Sequence, residues 1–133
     1  MKEAEIIETS SFSIWIDEEG ILRMRIKEEG ARVNEEEVKE VFAVIKKLTA
    51  GKKVLELMEG GTFHSFNEGA QKYASMHGRD FFIASALVSK SKIMRLLVNF
   101  FLLCYPQPVP YKVFATEAVA LKWLRKFKSE EIS

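Results

Sequence analysis

The sequence predicts one α/β domain on a mostly parallel sheet, and three observations carry that prediction. Apolar runs of strand length alternate with amphipathic stretches of helix length along most of the 133 residues. The run from Phe81 to Val88 is apolar almost throughout, without alternation, the pattern of a strand covered on both faces. The length suits one ordinary domain and leaves no room for a second.

The elements follow in order. Residues 1–10 are polar and expected to fray. Phe12, Ile14 and Ile16 fall on one side of a strand, with Ser11, Ser13 and Trp15 on the other. Asp17-Glu18-Glu19-Gly20 is a turn, after which Leu22, Met24 and Ile26 alternate with Ile21, Arg23 and Arg25. This is a β-hairpin with one buried face.

Residues 34–49 form the clearest helix, with Val38, Val41, Phe42, Ile45 and Leu48 at helical spacing. Asn34 and Glu37 make a capping box, Val33 and Val38 a hydrophobic staple, and Gly51 the stop. Three successive glutamates suit the positive end of the helix dipole. Val54 to Met58 is a short strand followed by Gly60-Gly61. Ser65-Phe66-Asn67-Glu68 fits a second capping box, with Ser65 as the cap of a helix that Gly78 ends after about His77.

A third helix spans 91–104 and is stopped by Pro106, Pro108 and Pro110. Tyr111 to Ala115 is the last strand, and Thr116 caps a final helix with Ala120, Leu121, Leu124 and Phe127 facing inward. The order is β-β-α-β-α-β-α-β-α, which implies right-handed crossovers and an antiparallel leading edge.

Composition excludes several functions. Twenty Lys+Arg against nineteen Asp+Glu leave a charge of +1, without the basic excess of a nucleic-acid binder. The single cysteine, Cys104, rules out an internal disulfide and a cysteine-based zinc cage. It sits in an apolar helix pattern and is expected to be a buried, inert thiol. The longest dense apolar stretch, Ile93 to Tyr105, is broken by Arg95 and Asn99 and falls short of the ~20 residues that span a bilayer. The acidic start lacks a signal-peptide core, so a cytoplasmic protein without a transmembrane segment is expected.

The order of elements resembles the STAS fold of the bacterial anti-sigma-factor antagonists (SpoIIAA-like proteins) and of small STAS-like or CRAL-TRIO-like bacterial proteins. The carrying segments are Val54-Leu55-Glu56-Leu57, Ala84 to Ser91, Asn99-Phe100-Phe101, Phe114-Ala115-Thr116-Glu117-Ala118 and Ala120-Leu121-Lys122-Trp123-Leu124. The resemblance implies a STAS-like domain over residues 11–128: a mixed, mostly parallel five-stranded sheet, an N-terminal hairpin, four helices, and flexible termini at 1–10 and 129–133. It implies a non-enzymatic regulatory or protein-interaction module. The antagonists carry a phosphorylatable serine where a helix begins, and Ser65 is the nearest equivalent. Their Asp-Ser-Ser or Asp-Ser-Ala-Gly cluster is replaced here by His64-Ser65-Phe66-Asn67.

Three groups of residues are candidates for function. Thr62, His64 and Ser65 form a docking or phosphoacceptor loop beyond a strand end. Ser89, Lys90, Ser91 and Lys92 form an anion-binding helix start. Met94, Leu97, Val98 and Phe101 lie on the third helix, which is apolar nearly all round and must be covered on more than one side. The sheet and the Pro-rich loop cover it, a second subunit covers it, or it lines a cavity for a lipid-like ligand. The volume left by a filled core in 133 residues argues against the cavity.

His64 and His77 have no metal-pair spacing, and His77 is expected to meet the last carbonyls of its helix. Glu56 and Glu59 face opposite ways along a strand and make no carboxylate dyad. No catalytic, metal or cofactor constellation is predicted. The expected partner is an unidentified protein or a second copy in a homodimer, and the alternative function is a carrier of a small apolar ligand between the third helix and the sheet.

Overall fold

In a computed structural model, the structure describes residues 5–27, 31–60, 64–104 and 107–132. A six-stranded sheet has the order β1-β2-β3-β5-β7-β8. Its strands are β1 (Ile7–Glu8), β2 (Phe12–Ile16), β3 (Leu22–Ile26), β5 (Val54–Glu59), β7 (Phe82–Val88) and β8 (Tyr111–Phe114). Two short strands, β4 (Ala31–Val33) and β6 (His64–Phe66), pair in parallel apart from it. The helices are α1 (Glu35–Thr49), α2 (Glu68–His77), α3 (Lys92–Cys104) and α4 (Glu117–Ile132).

The expected five-stranded sheet gains an edge. Ile7 pairs with Ile14 and Glu8 with Ser13, so part of the polar leading segment is a strand. The first element begins at Ile7 and the last ends at Ile132. The hairpin follows its alternation: Phe12, Ile14, Leu22, Met24 and Ile26 are buried together. Its turn is held by Asp17, whose Oδ1 accepts from the Glu19 and Ile21 amides, and Gly20 takes φ +80°. That left-handed backbone suits glycine.

Helix α1 begins as read, with the capping box between Asn34 and Glu37 formed in both directions. Its end differs by one residue: Ala50 is the left-handed cap, at φ 54°, and Gly51 follows at φ 80°. Helix α2 starts two residues later than its capping box suggests. Residues 64–66 extend as β6, and Asn67 caps by accepting from the Ala70 amide. Gly78 does not end the chain's turn with a left-handed residue; it is right-handed and leads into a 3-10 turn, Gly78–Asp80.

Strands β3, β5, β7 and β8 are parallel neighbours, each displaced from the last in the same direction. Crossovers of one hand therefore bring α1, α2 and α3 to the same face of the sheet. That face holds the larger core, with Val38, Val41, Phe42 and Ile45 of α1 over Phe12, Met24, Met58 and Leu87. Helix α4 covers the other face, where Ala120 and Leu124 meet Leu55, Leu57, Ala84 and Ala86. Ala84 and Ala86 of β7 present small side chains to α4. The Glu19 carboxylate ties α4 to the hairpin turn, 2.6 Å from Arg125 Nη2, and Arg23 links Asp17 to Glu117.

Candidate functional site

Between the sheet and the three helices on its first face lies a cavity of about 470 Å³. Met24, Glu56, Met58, Ser85, Leu87 and Tyr111 form its sheet side. Val38, Val41 and Phe42 of α1 and Ala74 and Ser75 of α2 form one wall. Met94, Leu97, Val98, Phe101 and Leu102 of α3 form the other, and Gln107, Pro108 and Val109 close an end. The Ser75 hydroxyl lies 3.5 Å from Gln107 Oε1, joining α2 to this loop. The expectation that a filled core leaves little volume for a cavity is therefore corrected.

Among the described lining residues the one carboxylate is Glu56, on the middle of β5. The register makes Glu56 the partner of Ser85, and Ser85 the partner of Tyr111. Three polar side chains thus stand in one row across three adjacent parallel strands. Ser85 hydrogen-bonds to the Glu56 carboxyl, but desolvation outweighs that bond and pushes the Glu56 pKa up to about 7. Burial, together with the Glu56 charge, keeps the Tyr111 phenol protonated well above its usual range. As the strand spacing required, Glu59 faces the opposite side, where its carboxylate is 2.7 Å from Arg25.

All four α3 residues picked from the sequence (Met94, Leu97, Val98, Phe101) line this cavity. Met94 is buried at 8% exposure, and Val98 packs against the core. The outer side of α3 is bare. Ile93, Leu96, Leu97, Phe100 and Leu103 are exposed, Leu103 to 83%, and no described element covers them. Cys104 continues that stripe and is exposed, which corrects the buried thiol expected of it.

The helix-start group is engaged with its own loop. The Ser89 hydroxyl accepts from the Ser91 amide, the Ser91 hydroxyl caps α3 by accepting from the Met94 amide, and Arg95 donates to the Ser89 carbonyl. Lys90 and Lys92 are exposed. His64 and Ser65 pair through β6 with Ala31 and Arg32, not at a helix cap. Their side chains, and Thr62 altogether, lie outside the described residues. His77 meets the Tyr73 ring at 4.3 Å and the Asp80 carboxylate at 3.9 Å, rather than helix carbonyls. Among the described residues no cluster of metal-ligating side chains occurs, and no helix is long and apolar enough to cross a membrane.

The residues missed by sequence reasoning are Glu56, Ser85 and Tyr111. Their signal was present. Glu56 interrupts Val54-Leu55-Glu56-Leu57-Met58 on the side that Met58 also occupies, and Ser85 interrupts the apolar run of β7.

Among solved structures that share the architecture is an uncharacterized protein from the DUF3478 family with a SpoIIAA-like fold, from Shewanella loihica PV-4. It is similar at 16% identity and a TM-score of 0.59, over 93% of this chain and 97% of that one. At that identity the likeness shows the fold, which is SpoIIAA-like here too. No curated protein matches the chain. The model of a domain of unknown function, DUF7793, matches residues 14–128, and the chain belongs to that family.

Proposed function

We propose that this domain is a binding module for a small apolar ligand held between α3 and the sheet. The observation that carries the reading is the cavity of about 470 Å³, walled largely by aliphatic and aromatic side chains. A volume of that size falls within the range of small-molecule sites, and apolar walls with a few convergent polar groups are their usual composition. The neutral fluorophore N-phenyl-naphthylamine tests it. Saturable one-to-one binding is expected. Val98→Trp, which places an indole where a half-buried valine now lines the space, should abolish binding while the far-ultraviolet circular dichroism is unchanged. Binding that ignores this substitution would remove the cavity as the site.

A second reading, a protein-interaction module that pairs with its own copy, is favoured by the bare stripe on α3. Ile93 with Phe100 and Leu96 with Leu103 keep the seven-residue spacing of a paired-helix seam. Sedimentation equilibrium should then give a dimer that Phe100→Asp converts to a folded monomer. A wild-type chain that stays monomeric throughout the concentration series would end the idea.

A further inference from the structure

We infer that the cavity selects an apolar molecule carrying an uncharged hydroxyl head, seated on Glu56, Ser85 and Tyr111; the inference rests on the ligand-binding reading above. The three residues are register partners on β5, β7 and β8, so their side chains leave the same face in a row. Adjacent strands lie about 4.8 Å apart, which places the outer two roughly 10 Å from each other with Ser85 between them. All three line the cavity, and the remaining sheet-side residues are apolar.

The charges around the row decide what it can hold. From β3 the neighbour of Glu56 is Leu22, from β7 Ser85, and Tyr111 follows on β8. The helices face the cavity with Val38, Val41 and Phe42, with Gln71, Ala74 and Ser75, and with apolar residues of α3. Among the described lining residues there is no Lys, Arg or His, and Tyr111 is the other titratable group besides Glu56.

An anionic head would therefore be desolvated with no counter-charge and would meet the Glu56 carboxylate. A cationic head would find one carboxylate, in surroundings whose desolvation already favours the protonated form of that group. An alcohol both donates and accepts. The Ser85 hydroxyl and the Tyr111 phenol are hydroxyl partners of the same kind, and Glu56 accepts from an alcohol when ionised and donates to it when protonated.

Displacement of bound N-phenyl-naphthylamine by decanol, decanoate and decylamine separates these cases. Decanol should displace the fluorophore at about a tenfold lower concentration than either charged analogue, the effect of one favourable charge-free contact. At pH 8, where Glu56 carries charge, Glu56→Gln removes that charge and keeps the shape, and should narrow the decanol-to-decanoate ratio by about tenfold. Tyr111→Phe, which removes one hydroxyl partner and keeps the ring, should weaken decanol about three- to tenfold relative to the fluorophore. Decanoate or decylamine binding as tightly as decanol, or a ratio unmoved by Glu56→Gln, would overturn the assignment of the head. A fluorophore that does not bind at all would instead overturn the cavity reading on which it rests.

Discussion

Glu56→Gln is expected to stabilise the fold by about 2–3 kcal/mol near pH 8 and to flatten its stability between about pH 5 and 7. The Glu56 carboxyl ionises at 4.5 in the unfolded chain and is pushed up to about 7 by burial in the folded one. Across that window the folded protein holds a proton that the unfolded chain has released. Stability from this group is thus fully present below about pH 4.5, falls as pH rises, and is lost above about 7. Glutamine is neutral throughout and can still accept from Ser85, so the variant escapes the loss. Thermal unfolding of both proteins across this range checks it. Parallel pH profiles for the two would mean that water or a counter-ion reaches the carboxylate, and that the sheet side of the cavity is not dry.

Leu124→Ala should cost about 3 kcal/mol, measured as the shift in the midpoint of urea unfolding at constant slope. Leu124 is fully buried and, with Ala120, is where α4 meets Leu55, Leu57, Ala84 and Ala86. The strand alanines carry no side-chain length that could swing into the vacated space, so the site collapses poorly and the cavity term remains. Val119→Ala, on the same helix but 54% exposed, should change stability by less than about 0.5 kcal/mol. A small loss at Leu124 would show that α4 is held chiefly by its surface ion pairs, Arg125 to Glu19 and Arg23 to Glu117. Exposed pairs of that kind seldom exceed about 1 kcal/mol.

The parts legible in the sequence were those written in local chemistry. Helix α1 carries its cap and its apolar stripe within one continuous segment, and both appear in the structure. The hairpin turn and the two-sided burial of β7 were legible for the same reason. The start of α2 was not. Ser65 and Asn67 both satisfy a cap pattern, and pairing of residues 64–66 with 31–33 selected the later one. A strand pairing made across thirty residues leaves no local signature.

The candidate site divides in the same way. That Met94, Leu97, Val98 and Phe101 belong to an unusual helix, and that Glu56 and Glu59 face opposite sides, follow from spacing alone. The helix period and the strand pleat are properties of the backbone, so the sequence by itself determined the α/β class, the helix caps and the inward stripes. Which residues share a wall depends on strand order and register. These brought Glu56, Ser85 and Tyr111 into one row from positions far apart in the chain. They also set α3 against the edge strand β8, where there is sheet beneath one side of the helix and no described element over the other. The cavity and the bare stripe on α3 were therefore decided only by the tertiary structure, because empty space and uncovered surface are properties of how elements fit together and not of any one of them.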